Sequence, residues 1–140
     1  VLKESQRFPL QNKLIDFHIQ KNQDFLLANP PIWLSFFGLI EILFQLPFFV
    51  LGAYYLYKRN SKVHSYMVIY GAEASLTTLV CIVYIFINGH EQGLGGSAVN
   101  NLVFIYLPTF VIPFSLVIDT IKEANEEFLE AEQGNSKKTQ

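Results

Sequence analysis

Residues 31–57 read PIWLSFFGLIEILFQLPFFVLGAYYLY, and their only formal charge is Glu41. A helix rises 1.5 Å per residue, so this run is more than long enough to cross about 30 Å of hydrocarbon. Trp33 stands at one end of it, and Tyr54, Tyr55 and Tyr57 stand at the other. Amphipathic aromatic rings collect at the two membrane–water interfaces, so both ends carry the mark of a spanning helix. Pro47 lies well inside the run and has no N–H to give the carbonyl of Leu43, so a kink or local loosening is expected there.

Two more runs follow. Residues 65–87 carry one charge, Glu73, and residues 102–121 carry one, Asp119, close to the end. Three apolar segments of this length leave too little polar surface to coat a water-soluble core of 140 residues. The reading is an all-α polytopic membrane helical bundle with spans at about 31–57, 65–87 and 102–121. Residues 1–30 form an extramembrane segment, and residues 122–140 form a charged tail expected to be disordered at its end. The net charge of −2 and the lack of a basic stripe give no footprint for nucleic acid. The one cysteine, Cys81, lies inside the second span and reads as a packing residue.

Between the first two spans lies a short basic loop, Lys58, Arg59 and Lys62 with His64. The next loop, 88–101, is rich in glycine and has no Lys or Arg. Basic loops stay in the cytosol, so the basic loop and the C-terminus are expected there, with residues 1–30 in the lumen. The chain closes on Lys137, Lys138, Thr139 and Gln140, a dilysine ending of the kind read as endoplasmic-reticulum retrieval when it faces the cytosol.

In the extramembrane segment, Leu10, Leu14 and Phe17 make a partial helical stripe, with Ile15 and Ile19 off it. A short helix is expected, either lying on the membrane surface or packed on the end of the bundle. Asn29 and Pro30–Pro31 read as the cap and first turn of the first span.

Glu41 is the most informative residue. A carboxylate near mid-membrane must be paired, hydrated in a cavity or protonated. Gln45 is four residues on, on the same face. Phe37, Phe44 and Phe48 are expected to wall the space, and Pro47 leaves a carbonyl free within a turn. Such a cavity suits an amphiphile with a cationic or hydroxyl head. The competing reading is a protonated glutamate bonding across to another helix. Glu73, followed by Ser75, Thr77 and Thr78, is a candidate partner of Glu41, and two close acids would tend to carry a single charge. Tyr106 in the third span either offers a hydroxyl from an apolar wall or belongs to the interfacial aromatic belt, and Pro108 and Pro113 bend the helix and can open space. Asp24 is expected to cap a short turn or to line the pocket mouth, and Asp119 to pair with Lys122. His18, His64 and His90 are scattered outside the spans. No metal cluster, nucleophile triad or phosphate loop is apparent, so no catalytic residue, metal or cofactor is expected.

Several of these residues stand in a pattern that resembles the sigma-2 receptor family of the EXPERA group: DFLLANPPIW at 24–33, SFF at 35–37, EILFQLPFF at 41–49, YLP at 106–108 and IPF at 112–114. The likeness is nearer to the fungal branch implicated in targeting mitochondrial precursors. It implies a four-helix membrane bundle of which this chain holds the last three spans, with a first span expected upstream. It also implies an endoplasmic-reticulum location, both termini in the cytosol, a homodimer, and a pocket for sterols or hydrophobic amines that opens sideways to lipid. The family's acids map onto Asp24 and Glu41; a further acid on the first span has no counterpart here, and a histidine near the position of Glu73 is replaced by glutamate. The ligand-binding set is therefore Asp24, Glu41, Gln45, Glu73 and Tyr106. Three functions compete: a membrane protein binding sterol-like or amine ligands, with a role in lipid handling or protein targeting; a structural or adaptor subunit; and a sterol Δ8–Δ7 isomerase, which would need two acid–base groups facing across a double bond.

Overall fold

A computed structural model describes residues 9–138. Side chains are described through Ala131, except that of Gln11. The sequence's polar start and the side chains of its dilysine ending lie outside the described residues.

The described chain is helical throughout, with three helices long and apolar enough to cross a membrane. Two short helices come first, α1 (Pro9–Asn22) and α2 (Phe25–Ala28). The first span is built from α3 (Ile32–Ile40), a π-helical turn (Glu41–Gln45) and α4 (Leu46–Tyr57). The second is α5 (Lys62–Asn88), and the third is α6 (Gly96–Lys138).

The π turn is the loosening that Pro47 imposes. Upstream of a residue that cannot donate, the helix takes in one extra residue, and the N–H of Leu46 reaches back five positions to the carbonyl of Glu41. The N–H of Glu41 is shared between the carbonyls of Gly38 and Phe37. The chain continues on both sides in helical geometry, so the disturbance is confined to the turn that carries Glu41 and Gln45.

Helices α5 and α6 form the closest pair. Small residues let them approach: a Cβ added to Gly71 would sit 2.7 Å from both the Pro113 carbonyl oxygen and Val117 Cγ2. The apolar core gathers at the end of the bundle away from the basic loop, where Leu26, Ile85, Val99 and Leu102 are fully or almost fully buried. Trp33 packs edge-on against Tyr84 with ring centroids 5.1 Å apart, so it joins this core as well as marking the span's start. At the opposite end Tyr55 stacks on Tyr66. Much of the remaining apolar surface is exposed, including Phe36, Leu43, Phe86, Phe104 and Ile112. Lipid-facing sides of spanning helices need that surface, since hydrocarbon offers no drive to bury it.

Several expectations change in detail. Asn29 does not cap the first span; it closes α2 by donating its N–H to the Phe25 carbonyl, and Pro31 precedes the first turn of α3. The third helix begins at Gly96, six residues ahead of the apolar run, because Gly93 takes a left-handed turn (φ 83°) that reverses the chain early. The charged tail continues α6 as helix to Lys138. Its 122–131 stretch is rich in the good helix formers Glu, Lys and Ala. Pro108 and Pro113 are accommodated inside α6 without ending it. Asp119 and Lys122 stand 4.0 Å apart, both exposed.

Candidate ligand cavity

A cavity of about 500 Å³ opens between the first span and the α5–α6 pair, roofed by α1 and α2. Ile15, Leu27 and Pro30 come from the roof; Leu34, Phe37 and Gly38 from α3; Glu41 and Ile42 from the π turn. Thr77, Thr78 and Cys81 come from α5, and Tyr106 and Thr109 from α6. Two smaller cavities adjoin it through the π turn. One, of about 370 Å³, is lined by Glu41, Gln45, Phe49 and Tyr70; the other, of about 300 Å³, by Glu41, Gln45, Thr77, Pro108 and Pro113 among others. Glu41 borders all three, so the π turn holds a carboxyl where the spaces meet.

The roof is fastened by one carboxylate. Asp24 is fully buried. Its Oδ1 accepts the Leu27 N–H at 3.1 Å and thereby caps α2. Its Oδ2 accepts the Tyr106 hydroxyl at 2.8 Å and His18 Nε2 at 3.1 Å. The amide of Asn22 donates to His18 Nδ1 at 3.0 Å, which leaves the proton on Nε2, where it is needed for Asp24. Three elements, α1, α2 and α6, are therefore tied at a single point. The residue before Asp24, Gln23, has a left-handed backbone (φ 54°), which turns α1 back over the cavity.

The five residues singled out from the sequence fall into different places. Glu41 and Tyr106 share the main cavity. Gln45 lies with Glu41 on the two adjoining cavities. Asp24 stands behind Tyr106 and holds its hydroxyl, and is not among the residues lining the cavity. Glu73 lines none of the three; its carboxyl oxygens are buried without a hydrogen-bond partner among the described residues. Of the three phenylalanines expected as walls, Phe37 lines the main cavity. Phe44 is 56% exposed on the outer face, and Phe48 packs on Tyr66 instead. The extra residue of the π turn rotates the remainder of the span, so α-helical spacing misplaces both.

The site also holds residues that the sequence does not mark. His18 stands apart from the other histidines in the sequence, yet it bonds Asp24; the spacing of Ile15, His18 and Asn22 marks the inward face of α1 that it shares. The stripe Leu10, Leu14 and Phe17 points the other way, and all three are at least 60% exposed. That opposition explains why Ile15 and Ile19 fall off the stripe. Thr77, Thr78 and Cys81 lie on one helical face, a spacing that reads equally well as packing. Among the described residues no group of three or more His, Cys, Asp or Glu side chains is arranged to hold a metal ion.

Three apolar spans around a cavity with one carboxyl on its wall define a multi-pass membrane protein of the type that encloses a ligand-sized space within the bilayer. The chain belongs to the EXPERA (EXPanded EBP) superfamily, whose family model matches residues 10–120. It is 38% identical over 123 residues to Efficient mitochondria targeting-associated protein 19 of Saccharomyces cerevisiae, covering 76% of this chain and 74% of that protein. It is 30% identical over 122 residues to Sigma intracellular receptor 2 of Homo sapiens, covering 79% of this chain and 69% of the receptor.

Proposed function

We propose that this protein resides in the endoplasmic-reticulum membrane, with its C-terminus in the cytosol, and binds a sterol-like or hydrophobic amine ligand in the cavity beside Glu41. The observation that carries this is the meeting of three cavities at one carboxyl, held by a π turn inside a spanning helix. Single-turn π bulges concentrate at functional sites because they cost helix stability. The main space of about 500 Å³ lies in the range of pockets for small molecules. Its walls are mostly apolar, with few polar groups, as an amphiphile with a rigid apolar body requires. Glu41 meets the head, as a carboxylate against an ammonium or as a hydrogen-bond partner of a hydroxyl.

Isomerising a sterol double bond would need a second acid–base group near Glu41. Glu73, the candidate, has buried carboxyl oxygens without a partner among the described residues and does not line the main cavity. A role in protein targeting rests on the name of the yeast relative, and the basic loop supports the orientation.

A photoreactive sterol tests the proposal on the full-length protein in microsomes. Labelled peptides from the π turn, α5 between Thr77 and Cys81, and α6 near Tyr106, competed by unlabelled sterol, are the expected result. Labelling spread over the lipid-facing surface, with no competition, would remove the cavity from the account.

A further inference from the structure

The hydroxyl groups around the cavity share a property that sets which ligand head it accepts. Four hydroxyl-bearing residues line the main cavity: Thr77, Thr78, Tyr106 and Thr109. Each has already committed its proton. Thr77 Oγ1 donates to the carbonyls of Glu73 and Ala74, at 3.1 and 3.2 Å. Thr78 Oγ1 donates to the Ala74 carbonyl at 2.8 Å, and Thr109 Oγ1 to the Tyr106 carbonyl at 2.6 Å. The Tyr106 hydroxyl donates to Asp24 at 2.8 Å. A hydroxyl has one proton and two lone pairs, so each of these oxygens can offer a ligand only lone pairs.

We infer that the cavity is an acceptor-lined site that selects ligand heads able to donate a hydrogen bond and discriminates against heads that only accept. This deepens the ligand-binding reading above and rests on it. A 3β-hydroxysterol or an ammonium supplies protons to these oxygens. A 3-ketosterol of the same shape sets a carbonyl against them and leaves buried acceptors facing one another. Asp24 acts through Tyr106: it fixes which way that hydroxyl points without lying on the cavity wall, which makes it a positioning residue. Glu41, the one carboxyl on the wall, has a proton or a charge to share with the ligand, so it reinforces the preference for an ammonium and does not by itself exclude a ketone.

Sites built to satisfy a donor reject analogues that lack it by large factors, but a lipid-accessible cavity relaxes that. Dehydroergosterol fluorescence on the full-length protein in nanodiscs supplies the readout, with cholesterol and its 3-keto counterpart cholest-4-en-3-one as competitors. The expected result is at least about a tenfold advantage for the alcohol. Thr78→Val and Tyr106→Phe should each shrink that ratio, chiefly by weakening the alcohol. Equal competition by alcohol and ketone, or a ratio untouched by both substitutions, would overturn the inference while leaving sterol binding in place. If neither sterol competes and dehydroergosterol itself does not bind, the reading on which the inference rests falls, and the inference with it.

Discussion

Replacing Asp24 by alanine tests the roof of the cavity. The carboxylate is fully buried and accepts three hydrogen bonds, from Tyr106, His18 and the Leu27 N–H. Removing it strands a phenol, an imidazole N–H and the capped amide of α2 together. A stranded buried donor costs about 1–3 kcal/mol, and loss of an N-cap costs about 0.5–2 kcal/mol. The three are not independent, and small shifts recover some of the loss, so about 4 kcal/mol is the working figure. For a chain of this size that corresponds to a fall in thermal midpoint of about 10–20 °C. The assay is thermal unfolding of the full-length protein in mild detergent, followed by fluorescence-detected gel filtration. Asp16→Ala serves as the control, because Asp16 lies on an exposed part of α1. Tyr106→Phe removes one of the three bonds and should lower the midpoint by a few degrees. The double substitution should cost less than the two singles added, since Tyr106 has no carboxylate to lose once Asp24 is gone. If Asp24→Ala melts within about 2–3 °C of wild type, against the expected shift, the carboxylate does not fasten α1 and α2 to α6.

Other consequences are narrower. Gly71→Leu should destabilise the protein by about 2 kcal/mol or more, because even a Cβ there meets the Pro113 carbonyl and Val117 at 2.7 Å; detergent melting reads this directly. Pro47→Ala restores the missing N–H and should let the π turn relax to α geometry, turning Gln45 relative to Glu41. The expected result is weaker dehydroergosterol binding at unchanged or higher thermal stability, and unchanged binding would detach the π turn from the site. His64 faces Glu123 and Glu127 at 3.9 and 3.7 Å, both of them well exposed, so His64→Ala should move the melting midpoint by no more than about 2 °C. A cysteine placed at Arg59 should react with a membrane-impermeant maleimide only when the cytosolic face is open, and one at Gln92 only when the lumenal face is; the reverse pattern would invert the proposed orientation.

The bundle is largely legible in the sequence because lipid imposes a one-dimensional test: long runs of apolar residues with one charge each. Glu41 stands out for the same reason, and Pro47 locates the loosening one turn away from it. Spacing alone does not supply the geometry of that loosening. A π turn adds a residue, so α-helical periodicity assigns Phe44 and Phe48 to the wrong face. Asp24 is recognisable as a cap, but its bond to Tyr106 joins residues 82 apart in sequence, and only the packing of α1 on α6 brings them together. His18 escapes notice because a histidine in a polar, imperfectly amphipathic segment gives no sign of its partner. Thr77, Thr78 and Cys81 are ambiguous in kind: small and polar residues at helical spacing serve helix packing and cavity walls alike. Glu73 looks equivalent to Glu41 in the sequence and shares a helical face with Thr77 and Cys81; it sits one turn further from the roof than Thr77, beyond the residues that line the main cavity.

The most direct test of the central claim is to identify the lipids that co-purify with the full-length protein, by mass spectrometry, for wild type and Glu41→Gln side by side. The account predicts a sterol or related amphiphile retained by the wild type at near one per chain and strongly depleted in the substitution, with bulk phospholipid unchanged. Equal lipid in both, or none beyond the bulk bilayer composition, would contradict a ligand site at Glu41.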